Sequence, residues 1–386
     1  MVKVRINDST LREGEQTPGV SFTGAQKVAI ARALADVGVD YIEAGHPAAS
    51  PQIAQSVREI ASLGLPAEIL AHSRALRRDV DAAVETGADW VGIFFSVADA
   101  RLEAQFRKDI DAAESLVRDV VAYAKSHGLR VRYTPEDTVR SDPQKVLRVA
   151  RAAVESGADR IGIADTTGHM IPARTAAFVR WLRAELPPRV QLSIHCHDDL
   201  GMAVANSIAA VEAGADVVDT CVNGLGERTG IAALAPTLVA LRLKLEAQNP
   251  WRLDALPAVS RLVEEHSGVP VSPQAPIVGA NAFTHNAGLH VSAVLLSPEH
   301  YESIPAALVG RTRRIAAGKL ASRDAIRYRL LALGLAKEEV SEREVELILA
   351  AVKRRNLADV DDETLRSLHA VAHLSREAHT PFAGGA

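Results

Sequence analysis

Short apolar, β-branched runs alternate along this chain with longer stretches in which apolar residues recur every three or four positions. Eight such runs stand out: Val2–Asn7, Val39–Gly45, Glu68–Ala71, Trp90–Ser96, Arg130–Thr134, Arg160–Asp165, Gln191–His197 and Val217–Val222. The amphipathic stretches fall near Gln26–Val37, Pro51–Leu63, Asp79–Thr86, Asp109–His127, Pro143–Ser156, Pro172–Leu186, Met202–Ala213 and Ala232–Gln248. The short runs read as strands and the periodic stretches as helices. Their alternation predicts βαβ units around a parallel sheet. Four junctions are nearly the same: DVGVDYIE, ETGADWVG, ESGADRIG and EAGADVVD. Each places Gly where a helix C-cap wants a left-handed residue. Eight units in about 250 residues is the size of a (β/α)8 TIM barrel. An open doubly wound sheet shares the alternation, but no GxGxxG follows the first strand.

Past residue 250 the rhythm breaks. Pro257, Pro270, Pro273 and Pro276 punctuate a linker-like stretch, and His285, Asn286 and His290 follow as potential donors or ligands. Three helical patterns run from Ser322 to about Ser375, and the tail HTPFAGGA reads as disordered. The expected organisation is a catalytic barrel over 1–250, a linker or lid over 251–310 carrying His290 and Tyr301, and a helical C-terminal arm over 311–386.

Composition narrows the function. The 386 residues are 47% hydrophobic and 24% charged with a net charge of −4, ordinary for a globular protein with a full core. No stretch is basic enough for a nucleic-acid footprint. No apolar run reaches the roughly 18 residues of a membrane span. The first residues lack the apolar core of a signal peptide. Two cysteines, Cys196 and Cys221, do not make a disulfide framework and fit a reducing, cytoplasmic setting.

A barrel carries its chemistry at the C-terminal ends of its strands. Those ends are crowded with polar groups: Asp8, Arg12, Glu13 and Gln16; Glu43 and His46; His72; Arg132, Thr134, Glu136 and Asp137; Asp165, Thr166 and Thr167; His195 to Asp199; Asn223, Glu227 and Arg228. The sharpest element is His195-Cys196-His197. Alternate strand residues share a face, so two imidazoles can grip one divalent ion. A carboxylate from another strand end would complete a two-His-one-carboxylate set; spacing alone leaves Asp8 and Glu13 both open. Arg132 and Thr134 also share a face. They either cradle an anion, or Arg132 pairs with an acidic neighbour. In Asn223-Gly-Leu-Gly-Glu-Arg-Thr-Gly230 the glycines permit close backbone approach to a ligand.

Together these segments resemble the Claisen-condensing barrel enzymes, the homocitrate synthase and 2-isopropylmalate synthase family. The matching words are DSTLREGEQ (8–16), RYTPEDT (132–138), IADTTG (163–168), HCHDDLGMAVANSIAAVEAGA (195–215), NGLGERTG (223–230) and AFTHNAGLH (282–290). GKLASRDAIRYRLLALGL (318–335) resembles homocitrate synthase in particular. The resemblance implies a TIM barrel that condenses acetyl-CoA with a 2-oxo acid and then hydrolyses the thioester. It implies Glu13, His195 and His197 as ligands of one divalent ion, which Zn, Mn, Mg or Co would each suit. Arg12 would stabilise the developing alkoxide, Thr166 the C1 carboxylate, and Gln16 the acyl group. Asn223, Gly226, Glu227 and Arg228 would meet CoA. His290 and Tyr301 would act as acid and base from the partner subunit's arm in a homodimer, with Glu136 orienting the histidine.

Arg132 with His72 resembles the homocitrate synthase pattern, and two cations there would reward a distal anion on the substrate. That favours 2-oxoglutarate, with phosphonopyruvate or oxaloacetate as alternatives and 2-oxoisovalerate or pyruvate behind them. Thr134, His46 and the loop ADARLEAQFRKDI depart from the usual homocitrate synthase pattern beside the pocket. A carbon–carbon lyase on the same barrel, or a silent binding protein, are the readings from other classes. The GERTG loop and His290 favour synthesis.

Overall fold

The repeated Gly-Ala-Asp junctions are the clearest link between sequence and architecture. Gly38, Gly87, Gly157 and Gly214 all take positive φ and end their helices. The aspartate that follows exchanges two hydrogen bonds with one residue of the preceding strand. Asp40, Asp89, Asp159 and Asp216 accept from the N–H groups of Ile6, Ile69, Val131 and Leu192 at 2.8–2.9 Å. Their own N–H groups donate back to the carbonyls of the same residues. Each clamp ties an even strand to the odd strand before it, so the barrel is fastened in four pairs at its N-terminal rim. Loss of one clamp would leave a strand N–H unpaired, at a cost of about 1–3 kcal/mol.

The computed structural model describes residues 3–335 and 341–377. The strands β1 (Arg5–Asp8), β2 (Tyr41–Gly45), β3 (Glu68–Arg74), β4 (Trp90–Ser96), β5 (Arg130–Glu136), β6 (Arg160–Asp165), β7 (Gln191–Cys196) and β8 (Val217–Thr220) close into a parallel barrel in sequence order. Strands β3 and β5 run further than their apolar runs suggest, because Ser73 and Arg74 of β3 and Pro135 and Glu136 of β5 still pair with β4. Helices follow at Gly24–Val37, Pro51–Ala61, Arg77–Val84, Ile110–Ser126, Pro143–Glu155, Pro172–Glu185, Ala203–Glu212 and Leu234–Lys244. The fold is the expected TIM barrel. Among the described residues no helix is long and apolar enough to cross a membrane.

The barrel interior is layered. At the floor Tyr41, Leu70, Trp90 and Val217 form a buried cluster, and the Arg160 guanidinium lies over the Tyr41 and Trp90 rings at 4.1 and 4.3 Å. Two positions further along β2, β3 and β8 the inner face turns polar, at Glu43, His72 and Asp219, and Arg132 of β5, in register with Gly92 of β4, joins them. The first compact unit runs to Val271. Helix Leu256–Ser267 therefore belongs with the barrel, which extends the barrel unit past the expected limit of 250. It buries Leu256, Val259 and Val263, and Ser260 exchanges hydrogen bonds with the Asn223 side chain at 2.9 and 2.5 Å.

The second unit, from Ser272, holds the parallel pair β9 (Thr284–His285) and β10 (Arg314–Ile315) and helices Gly288–Leu296, Arg323–Ala332, Glu342–Arg355 and Asp362–Glu377. One core joins Val291 to Ile315, Ile326, Leu330, Ile348 and Leu365. The segments read as lid and as helical arm thus share a single core. The tail HTPFAGGA lies outside the described residues.

Candidate metal and substrate site

The loop after β1 is built before it binds anything. The Ser9 carbonyl accepts from the N–H groups of Arg12, Glu13 and Gly14, a tight turn that aims consecutive side chains into the barrel mouth. Lys27, almost fully buried, secures the loop from below by pairing with Glu15 at 2.5 Å and the Leu11 carbonyl at 3.3 Å. Asp8 does not enter the site. Its carboxylate accepts from the Thr10 N–H at 3.0 Å and the Thr220 hydroxyl at 3.1 Å, and burial raises its pKa to about 6.

Glu13, His195 and His197 converge, with one ligand atom from each lying within 4.8 Å of the others. His197 Nε2 is 3.9 Å from Glu13 Oε1. His197 Nδ1 is buried without a hydrogen-bond partner. Burial, reinforced by the neighbouring His195, lowers the His197 pKa to about 4, so the ring stands neutral, as a ligand must. His195 Nδ1 meets Asp219 Oδ2 at 3.2 Å, which leaves Nε2 free to bind and fixes the ring from behind. Burial opposes ionisation of Glu13, but Arg12 and His195 outweigh it and pull the carboxyl to about 2. Its oxygens also receive the Glu227 N–H at 3.0 Å and the Gln16 amide at 3.0–3.1 Å. The donor set fits a divalent ion.

Behind the three stands a carboxylate hub. Glu43, wholly buried, accepts from Ser9 Oγ at 2.5 Å and Arg12 Nε at 2.9 Å on one oxygen. The other oxygen meets Arg132 Nη2 at 2.5 Å and His72 Nδ1 at 3.0 Å. Burial works against the Glu43 charge, yet Arg12 and Arg132 hold its pKa well below the usual range. Arg132 Nη1 also lies 3.5 Å from Asp219. The acidic-neighbour reading of Arg132 therefore holds, and the anion-cradle reading survives beside it, because its Nε and Nη1 have no hydrogen-bond partner. The expectation of two cations needs correcting. Burial, with Arg12 nearby, lowers the His72 pKa to about 4, so His72 is neutral near pH 7.

A cavity of about 350 Å³ opens over this network. Arg12, Glu13, Gln16, His72, His195 and His197 line it, as do Arg132, Thr134, Glu136, Thr166, Glu227 and Arg228 among others. Glycine makes the space: a Cβ on Gly162 would sit 2.2 Å from Thr134 Oγ1, and one on Gly92 would sit 2.8 Å from Arg132 Nη2. A neighbouring cavity of about 670 Å³ shares Arg12, Gln16 and His72 with the first. His46 lines that second cavity and is held by Asp79 at 3.0 Å.

Asn223 and Gly226 do not line the cavity that holds the metal-binding set. Asn223 is committed to Ser260, and Gly226 exchanges hydrogen bonds with Thr17 at 2.8 and 3.1 Å, so this loop braces Glu13. Arg228 forks onto Asp199 at 2.8 and 2.9 Å. His290 and Tyr301 lie in the second unit, where their rings stack 4.1 Å apart on an exposed face. Sequence reasoning missed Glu43 and Asp219 as organisers and Arg101 as a lining residue. A signal existed for the first two: each is an acid three residues past a Gly-Ala/Val-Asp junction, inside an otherwise apolar run.

The sequence profile of the HMGL-like family matches residues 3–263, and that of the homocitrate synthase post-HMGL domain-like family matches 277–361. Homocitrate synthase from Pyrococcus abyssi is 49% identical over 86% of this chain and 90% of its own length. Homocitrate synthase from Saccharolobus solfataricus is 44% identical over 92% of this chain and 76% of its own. Among solved structures, the hydroxymethylglutaryl-CoA lyase of Pseudomonas aeruginosa is 27% identical with a TM-score of 0.61, covering 70% of this chain and 94% of its own. The Bacillus subtilis HMG-CoA lyase, at 23% identity and a TM-score of 0.63 over 70% of this chain and 96% of its own, shares the fold. The chain is an enzyme of the HMGL-like family and belongs, within it, with the homocitrate synthases.

Proposed function

We propose that this enzyme condenses acetyl-CoA with 2-oxoglutarate and hydrolyses the resulting thioester to release homocitrate and CoA. One observation carries the choice of acid: Arg132, buried in the same cavity as the metal-binding set, keeps Nε and Nη1 without hydrogen-bond partners. A distal carboxylate would satisfy them, whereas a hydrocarbon side chain would leave them unpaired at a cost of about 1–3 kcal/mol or more. Relatives named homocitrate synthase at 43–49% identity support the same reading.

Glu13, His195 and His197 would hold the divalent ion, which when bound supplies Lewis-acid polarisation of the keto group. The protein's own groups do the rest. Arg12, anchored by Glu43 and Glu13, directs guanidinium donors at the oxygen on which charge develops. Thr166 binds the C1 carboxylate. Gln16 and Arg12 border both cavities, so the acetyl thioester meets the acid between them. A base takes a methyl proton as the new carbon–carbon bond forms; His290 and Tyr301 fill the acid and base roles, supplied by the arm of the second subunit of a homodimer. Water then cleaves the thioester and CoA leaves as the thiol.

The lyase reading has less support. The solved lyases cover about 70% of this chain, while the homocitrate synthase post-HMGL domain-like profile accounts for 277–361. The test is thiol release by purified, metal-loaded protein from acetyl-CoA with a panel of 2-oxo acids. The expected result is turnover with 2-oxoglutarate and homocitrate as product. Turnover only with branched-chain acids, or none with any acid, would reject the proposal.

A further inference from the structure

The loop after β4 places a cation in the cavity that the condensation mechanism above does not use. The segment is a helical turn, Asp99–Arg101, continued by a π-type turn, Leu102–Phe106. It is pinned on both sides. Leu102 is buried, and Phe106 packs on Phe95 of β4 at 4.7 Å. Asp99 pairs with Lys145. Between these anchors Arg101 lines the cavity and pairs with Glu136 Oε1 at 2.5 Å.

The charge balance of the cavity gives this pair its interest. Arg12 meets Glu13 and Glu43, and Arg132 meets Glu43 and Asp219, so two guanidinium groups face three carboxylates. His72 is neutral, and Arg228 is held in a fork by Asp199. Arg132 has donors to spare, but its guanidinium charge is already shared between Glu43 and Asp219. Arg101 is matched by one carboxylate through one contact, with its side chain 38% exposed and that of Glu136 24% exposed. An ion pair in that setting exchanges one carboxylate for another at small cost. A fully buried pair does not.

We infer that Arg101 is a specificity-determining residue that leaves Glu136 to bind the distal carboxylate of the 2-oxo acid, beside Arg132. Arg132 supplies fixed, buried donors, and Arg101 supplies the balancing charge. The exchange also releases Glu136 from its ion pair once substrate is seated. This inference rests on the proposed use of an acid with a distal carboxylate.

The experiment compares 2-oxoglutarate with 2-oxobutyrate, which lacks that carboxylate, in the metal-loaded wild type, R101Q and R101K. Loss of one charge-assisted contact predicts that R101Q lowers the preference for 2-oxoglutarate by about tenfold to a hundredfold, mainly through KM. R101K, keeping the charge, recovers all but about threefold of it. KM for acetyl-CoA stays at the wild-type value in both. An unchanged preference in R101Q overturns the inference and leaves the proposed function standing. So does an equal loss with both acids, which marks Arg101 as a structural partner of Glu136. A wild type with no preference for the diacid rejects the proposed function itself, and this inference with it.

Discussion

Arg160 and Arg132 sit on neighbouring strands, paired in register inside the same barrel, yet their surroundings differ sharply. Arg160, at the floor, lies over the faces of Tyr41 and Trp90 and has one hydrogen bond, from Nε to Gln191 at 3.0 Å. Burial lowers its pKa to about 10. Arg132, one layer up, is held by Glu43 and Asp219 and borders the cavity. Both leave guanidinium nitrogens unpartnered. The difference lies in access. Arg160 is sealed beneath aromatic rings that offer only π faces, while Arg132 lines the cavity of about 350 Å³ that the metal-binding set also lines. A buried arginine is thus no sign of function by itself; what reaches it decides.

That contrast can be broken at several points. The largest effect belongs to the set above Arg132. In His195→Ala, metal content measured on the purified protein should fall to near zero and turnover by at least about 10³-fold; full metal retention would remove His195 from the ligand set. Next comes Glu43→Gln. It weakens the common partner of Arg12, His72 and Arg132, so the denaturation midpoint and kcat/KM should fall together, with a stability loss approaching about 3 kcal/mol. A loss of activity without loss of stability would make Glu43 less of a hub than its contacts imply.

A smaller effect concerns pH. His72 is neutral in the fold with a pKa near 4, against 6.5 for a free imidazole. The unfolded chain therefore takes up the proton first, and stability should decline as pH falls from about 6.5 towards 4. His72→Gln should flatten that part of the stability profile, and an unchanged slope would assign it to other groups. The smallest effect is at the floor. Arg160→Met should leave kcat/KM within about twofold and change stability by no more than about 2 kcal/mol, because a buried cation is exchanged for a side chain of similar reach.

The same contrast explains what could be read from the sequence. The eight strands and their helices were legible because β-branched runs and helical periodicity are local signals, and the Gly-Ala-Asp junctions repeat them. Their aspartates as backbone clamps were not legible, since the partner N–H belongs to another strand. The His195/His197 pair was visible from alternation, but choosing Glu13 over Asp8 needed the family resemblance; in the structure Asp8 is tied to Thr10 and Thr220. The charge of His72 was misjudged because burial and Arg12 act through space. Arg101 was overlooked because it lies in the loop where the resemblance fails, and only the folded chain places it beside Glu136.

The most direct test of the account is the affinity of metal-loaded protein for 2-oxoglutarate and 2-oxobutyrate, measured by titration calorimetry on the wild type and on Arg132→Met. The account predicts that the wild type prefers the diacid by about a hundredfold or more and that Arg132→Met removes most of that preference. An equally strong preference in Arg132→Met would contradict it.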